Sequence, residues 1–458
     1  MKLDSLGFIF GLLPISIILY AATPRKFRNY TLFVINAVYY LFIGWQAAAI
    51  TAAAVAMDYG TAVFLDRVRG RAKLAKLRLP LLVLMAGKNI FGAIYFAVVD
   101  QMIPTAANFG FVVYAITATG YLVDVFGEHE KAEKDPIRFA LFSTLFCKMY
   151  IGPLVRWKDM KDQLAGENGE GRRFLPGDVA EGLSIFLFGT AKKVLITDRL
   201  VEFALSLEQV NFETPTILGK WLAVIVFALR IFFELSAYSD MARGLALVFG
   251  IKLPRNFYYP YQSVSISDFL HRFNSTVTQF FEHYVYNALI REKGETEEGK
   301  AKAGVLSDII NTLLVCLLFS LWFGVNFNYM IWGIYLAVFI ILEKYLLQKV
   351  LDNIPMLFSR LYAFVVIMLS FIIFASDNMS LFLRSVAAVF NFSTDLSTTK
   401  LEYLLSSNFL MLVVAVLFSS SLFSFLMRKL KAKSSVLGRI LSLVWVIALT
   451  VTTVAFLL

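Results

Sequence analysis

The sequence predicts an all-α polytopic integral membrane protein, and three observations carry that reading. Of 458 residues, 59% are hydrophobic, against about 45–50% apolar in soluble domains, and the mean hydropathy is +0.69. Apolar runs long enough to cross about 30 Å of hydrocarbon recur along the whole chain. Forty-four Phe and 20 Tyr suit lipid-facing and interfacial surfaces. The length therefore reflects many spans, with residues 1–458 read as a single integral membrane domain in a lipid bilayer.

The runs fall near 5–21, 30–43, 46–65, 80–99, 106–126, 180–205, 216–249, 306–324, 327–348, 357–376, 407–427 and 440–458. The first is read as an uncleaved span. Tyr20-Ala21-Ala22 imitates a signal cleavage site, but Arg25, Lys26 and Arg28 follow the apolar run instead of preceding it. The run at 30–43 is short for a full crossing. Basic clusters set orientation: Arg25 to Arg28, then Arg67, Arg69, Arg71, Lys73, Lys76 and Arg78, then Arg428, Lys429, Lys431, Lys433 and Arg439. Counting spans between them places all three on one side, the cytoplasm, and both termini on the other. That count is consistent with about twelve crossings. Residues 140–154 are apolar but short, end in Gly152-Pro153 and lead into a hydrophilic loop at 158–173, so they read as a re-entrant segment. Residues 251–302 mix aromatics, hydroxyls and charges and read as cytoplasmic and partly re-entrant. Residues 380–392 read as an interfacial helix on the outer face.

The net charge of +10 does not point to nucleic acid, because no soluble basic groove with stacking aromatics is visible. Cys147 and Cys316 lie in apolar runs and read as small buried hydrophobes. Three scattered histidines give no zinc-site spacing, so no metal is expected.

Ionisable groups inside spans cost about 2.5–3.5 kcal/mol each on insertion scales and so mark interior faces or pathways. The run from Trp221 to Gly250 holds Arg230 with Glu234 and Asp240 with Arg243, each pair spaced to meet on one helix face. They read either as self-neutralising pairs or as the lining of a substrate path. Lys192, Lys193, Asp198 and Arg199 read as boundary anchors or as the wall of a polar funnel. Ser267 is a plausible N-cap for a helix that carries His271 and Asn274 on one face; the alternative is an amphipathic helix with a merely wet polar face.

Several blocks then resemble, in order, the bacterial alginate-O-acetylation branch of the membrane-bound O-acyltransferases, a branch related to the D-alanyl-transfer protein of teichoic acid synthesis. Gly152-Pro153-Leu154-Val155-Arg156-Trp157 is similar to the family's Gly-Pro block. Gly189-Thr190-Ala191-Lys192-Lys193-Val194-Leu195-Ile196-Thr197-Asp198 resembles GLAKKVLIAD, and Tyr238-Ser239-Asp240-Met241-Ala242-Arg243-Gly244 resembles YSDMAxG. Arg255-Asn256-Phe257-Tyr258-Tyr259-Pro260-Tyr261 resembles xNFxYPY, and Tyr284-Val285-Tyr286 resembles DYVY apart from His283. Leu321-Trp322-Phe323-Gly324 resembles LWHG, with Phe323 where the family has its catalytic histidine. Phe269-Leu270-His271-Arg272-Phe273-Asn274-Ser275 resembles FWRRWHxS, with Asn274 at the second histidine position.

The resemblance implies a ring of about twelve transmembrane helices plus re-entrant segments around a central tunnel. It implies transfer of a short acyl group, acetyl by default, from a cytoplasmic thioester to a hydroxyl of an exported or cell-surface glycan. No cofactor would be bound; the donor would be acyl-CoA or an acyl carrier protein. The implied partners are that carrier, docking on basic cytoplasmic loops, and an outer-face protein that completes delivery. The implied tunnel residues are Trp322, Asp240, Arg272 and Tyr238. General-base catalysis contributes typically about 10²–10⁴-fold, and a phenyl ring at 323 cannot supply it. Asn274 can still orient a substrate. His271 is the candidate replacement base, with His283, Asp268 and Glu282 nearby. The alternative to an enzyme is a catalytically silent homologue acting as scaffold, conduit or binding protein. An ordinary secondary transporter is a further class, favoured by the broken helices and disfavoured by the ordered blocks.

Overall fold

The computed structural model describes the chain except residues 1, 70, 103–109, 167–171, 291–303, 377, 392–394, 423–424, 426–428, 430–451, 454 and 457–458. The expected run at 440–458, most of the third basic cluster and the charged stretch 291–302 therefore lie largely outside the described residues. The described chain is helical, without strands; a single antiparallel bridge joins Phe257 and Phe273. Its contacts resolve two compact units: residues 1–189 with 238–255, and residues 190–237 with 256–458.

The first unit holds α1 (Leu13–Ala22), α2 (Arg28–Ile43), α3 (Trp45–Arg67), α4 (Ala72–Met102), α5 (Phe111–Phe126), α6 (Pro136–Thr144), α7 (Trp157–Ala165) and α8 (Pro176–Ala191). The charged groups inside α3 and α4 are neutralised together. Asp58 is fully buried, accepts from Lys88 Nζ at 3.0 Å and is also bonded by the Tyr114 hydroxyl of α5, the arrangement that makes an acid tolerable within spans. Residues 140–154 do not continue α6 into a span. After Thr144 the chain turns through Phe146–Lys148, and Asn36 of α2 spans the break: its amide donates to Thr144 Oγ1 at 3.1 Å and its oxygen accepts the Phe146 N–H at 2.7 Å. Residues 139–149 are buried without exception, as irregular backbone at membrane depth requires.

The chain continues through a π-helical turn at Lys192–Thr197 into α9 (Asp198–Glu213) and then α10 (Ile217–Val248). Within the first unit, the last turns of α10 cross α8 at two glycines. A Cβ on Gly244 would lie 2.5 Å from the Gly182 carbonyl oxygen, and one on Gly182 2.7 Å from that of Gly244. The glycine that closes the Tyr-Ser-Asp block is therefore a helix-contact residue. Of the two spaced charge pairs, Asp240 and Arg243 meet at 3.2 Å. Arg230 and Glu234 form no ion pair among the described residues, which corrects that expectation; spacing brings two side chains within reach but does not fix their rotamers.

The second unit also holds α11 (Ile266–Arg272), α12 (Ser275–Ile290), α13 (Val305–Leu321), α14 (Phe327–Leu342), α15 (Gln348–Asn353), α16 (Met356–Ala375), α17 (Met379–Val389), α18 (Thr399–Ser407) and α19 (Phe409–Ser419). A π-helical turn, Glu343–Leu347, links α14 to α15. Trp45–Arg67, Lys76–Phe96, Phe327–Asn353 and Met356–Ala375 are each long and apolar enough to cross a membrane, and α18 with α19 makes a further apolar pair bent by 64°. The expected interfacial helix at 380–392 corresponds to α17.

Replacing Gly244 with valine is expected to push α10 off α8 and lower stability by about 1–3 kcal/mol. Thermal unfolding in detergent would show this, with Gly177→Ala, where nothing lies within 4 Å, leaving the melting temperature unchanged.

Candidate functional site

The residues at the two family histidine positions both lie in the second unit, and helix breaks place them. The break between α11 and α12 is two residues, Phe273 in extended conformation and Asn274 in the left-handed region with φ +57°. Asparagine is one of the few side chains that adopts it readily. The turn is pinned from outside: Tyr258 N–H donates to Arg272 O at 2.9 Å, Ser275 N–H to Asn256 O at 2.8 Å, and Thr276 N–H to Asn256 Oδ1 at 3.1 Å. Asn256, in the Asn-Phe-Tyr-Tyr-Pro-Tyr block, thereby caps α12 from a distant segment, satisfying an N–H with no helical partner. Asn274 itself is fully buried, and neither its amide nitrogen nor its oxygen has a partner among the described residues.

The start of α11 differs from expectation. Ser265, not Ser267, is the N-cap: its hydroxyl accepts the Asp268 N–H at 3.0 Å while Asp268 Oδ2 accepts the Val264 N–H at 3.1 Å, a reciprocal cap. Glu343 of the π turn, buried, takes the Ile266 N–H at 2.8 and 3.0 Å. The helix ends at Arg272, so His271 and Asn274 do not share a helix face. Sequence reading missed both Asn256 and Glu343. Glu343, a lone carboxylate in an apolar run, carried the signal that marks intramembrane acids.

Phe323 follows α13 in the turn to α14, where Gly324 takes φ +144°. Its ring lies among aromatics: 5.4 Å from Phe374, 5.5 Å from Trp332, 5.6 Å from Phe319 and 6.3 Å from Phe273, centroid to centroid. Trp332 is fully buried. None of the four rings that touch Phe323 is titratable, and the phenol ring of Tyr329 packs on Phe374 at 4.8 Å, so position 323 itself offers shape and dispersion but no proton acceptor.

His271 is placed differently. Its Nδ1 is 2.8 Å from Ser267 O and its Nε2 is 3.0 Å from Glu282 Oε1, with the side chain about half exposed. The Glu282 hydrogen bond, supported by the Ser267 carbonyl and opposed by burial, raises the imidazole from 6.5 to about 9. A ring bonded at both nitrogens and protonated at neutral pH is a poor general base. His283 packs on Tyr284 at 5.0 Å. Arg272 pairs with Asp268 at 2.7 Å, and the main-chain N–H of Trp322 donates to Leu318 O at 3.1 Å at the end of α13. Arg272, Asn274, Trp322 and Phe323 thus share one unit. Asp240 and Tyr238 belong to the other, where Tyr238 stacks on Tyr150 at 5.1 Å. Among the described residues no cluster of three or more His, Cys, Asp or Glu could hold a metal.

The family model described as MBOAT, membrane-bound O-acyltransferase family, matches residues 119–384, which contain both histidine positions. The chain belongs to this family. Among its relatives is the probable alginate O-acetylase AlgI of Pseudomonas fluorescens, 28% identical over 404 residues that cover 86% of this chain and 76% of the relative. The peptidoglycan O-acetyltransferase of Helicobacter pylori is 29% identical over 247 residues, 53% of this chain and 44% of that protein. The teichoic acid D-alanyltransferase of Bacillus subtilis is 30% identical over 122 residues, 27% and 30% of the two chains. Membership and the apolar helices make this MBOAT protein a membrane protein.

Two outcomes follow from the geometry. Asn256→Ala removes the acceptor for Thr276 and is expected to cost about 1–2 kcal/mol, whereas Asn256→Asp keeps it and loses less; thermal unfolding compares them. The His271–Glu282 pair holds a histidine whose folded value, about 9, exceeds its ordinary 6.5. Its stabilisation is therefore complete below pH 6.5, declines above that and is gone beyond about 9. The melting-temperature difference between the unmodified chain and His271→Gln should be largest near pH 6 and vanish near pH 10.

Proposed function

We propose that this chain serves the transfer of a short acyl group, acetyl by default, from a cytoplasmic thioester to a hydroxyl of an exported or cell-surface glycan. The observation that carries this reading is the family match across both histidine positions, joined by likeness along most of the chain to proteins named for alginate O-acetylation. On this reading residues 1–458 act as one domain in a bacterial cytoplasmic membrane with both termini outside. About twelve crossings ring a tunnel that Trp322, Asp240, Arg272 and Tyr238 help to line. The donor is acyl-CoA or an acyl carrier protein, and an outer-face protein receives or delivers the group.

A second reading has its own observation. The hydroxyl must lose a proton as it attacks the thioester carbonyl, and Phe323 stands in an aromatic cluster where the family places its base. The chain is then a silent homologue that acts as scaffold, conduit or binding protein in the same process.

Installing the base separates the two. In proteoliposomes with an acyl thioester, a silent chain should gain thioester hydrolysis or acyl transfer on Phe323→His, by roughly 10²-fold or more, and be indifferent to His271→Ala. An active chain should transfer before any change. Loss of that transfer in His271→Ala would make His271 the base, and transfer surviving replacement of His129, His271 and His283 would exclude every histidine scheme.

A further inference from the structure

The second unit holds a cavity of about 560 Å³ away from the Phe323 cluster, walled by α11, α12, α13, the α14–α15 segment and the first turn of α16. Its lining is divided by chemistry. Leu270, Val315, Cys316 and Ile340 form apolar wall. The charged lining comprises two cations, His271 and Lys344, and three carboxylates, Glu282, Glu343 and Asp352. Most of these are already engaged: His271 with Glu282, Lys344 with Asp308 at 2.7 Å, and Glu343 with the start of α11. What remains is rich in acceptors. Asn311 Oδ1 is buried without a partner, and the Asp352 carboxylate makes no hydrogen bond or ion pair among the described residues.

The surroundings narrow the ligand. The cavity wall includes the C-terminal end of the apolar segment Phe327–Asn353 and the first turn of Met356–Ala375. On these segments Leu346, Val350, Met356, Leu357 and Phe358 are more than half exposed, interleaved with exposed Lys344, Gln348, Lys349 and Asp352, a mixed fringe of the kind found where headgroups meet acyl chains. A lipid reaches such a fringe by lateral diffusion, its headgroup at the polar side chains and its acyl chains along the apolar ones. Both signs of charge in the lining suit a zwitterion, and the unengaged acceptors suit a group with several N–H donors, as a primary ammonium has. Lys344 keeps donors beyond its single bond to Asp308 for a phosphate.

We infer that this cavity is a binding site for the headgroup of a zwitterionic phospholipid bearing a primary ammonium, with the ammonium on Asp352 and Asn311 and the phosphate toward Lys344. The inference uses Asp352, Asn311 and Lys344, which lie outside the Phe323 cluster, and does not depend on whether His271, also in the cavity wall, serves acyl transfer.

Native mass spectrometry of the delipidated full chain tests it, titrating phosphatidylethanolamine, phosphatidylcholine and phosphatidylglycerol of matched acyl chains, and free O-phosphoethanolamine. Losing a charge-assisted hydrogen bond is worth about tenfold in affinity. Phosphatidylethanolamine should therefore be retained about tenfold more tightly than the quaternary and anionic lipids. Asp352→Asn with Asn311→Leu, or Val315→Trp filling the cavity, should erase that preference while the melting temperature stays within a few degrees. Equal retention of the three lipids by the unmodified chain would overturn the assignment without recourse to any variant. So would a preference that both variants leave intact, or free O-phosphoethanolamine binding as tightly as its lipid.

Discussion

Where buried helices break in the described chain, main-chain N–H groups are left in surroundings too apolar to hydrate them, and the fold depends on side chains that meet those groups. An unsatisfied group in hydrocarbon costs several kcal/mol, more than most single contacts return. Asn36 spans the break after α6, Asn256 the start of α12, and Ser265, Asp268 and Glu343 together the start of α11. Asn326 caps α14 through the Asn328 N–H. Asn36, Asn256 and Glu343 come from 110, 20 and 77 positions away, so those breaks also tie two segments together. Irregular backbone and long-range order thus have one cause in this chain.

The Phe323 cluster shows how chemistry can change without loss of architecture. Phenylalanine and histidine are both planar rings on a single methylene, so Phe323 among Phe319, Trp332 and Phe374 fills much of the space a histidine would. The neighbouring turn with its glycine and the Asn326 cap of α14 are retained beside it. What differs is the capacity to take up a proton. A change confined to the ring leaves the protein a member of its family in every respect that packing can register.

The apolar runs foretold most helices because burial in lipid is written as composition, residue by residue. The blocks foretold less about roles. Gly244 looked like part of a polar motif and is the closest point of a helix crossing; Asn256 looked like part of an aromatic motif and caps a helix. The cap of α11 was misplaced by two residues although Ser265 with Asp268 makes a legible local capping pattern; only the Glu343 carboxylate, 77 positions from Ile266, lies beyond any local pattern. The Arg230 and Glu234 pairing failed for a related reason: periodicity gives proximity, and tertiary surroundings choose the rotamer. The headgroup cavity was invisible in sequence because five segments contribute to it and none is distinctive alone.

The left-handed backbone at position 274 reaches further than the turn it makes. Outside glycine, that region of conformational space is visited mainly by asparagine, aspartate and histidine. A chain that must turn there can exchange one of these for another without disturbing α11 or α12, whereas a bulky or branched residue would distort the turn before its chemistry mattered. The alphabet available at the second family position is thus set by main-chain geometry first and by reactivity second. Histidine and asparagine are neighbours in that restricted alphabet, which makes the passage between them a short one for the fold, however long it is for the chemistry.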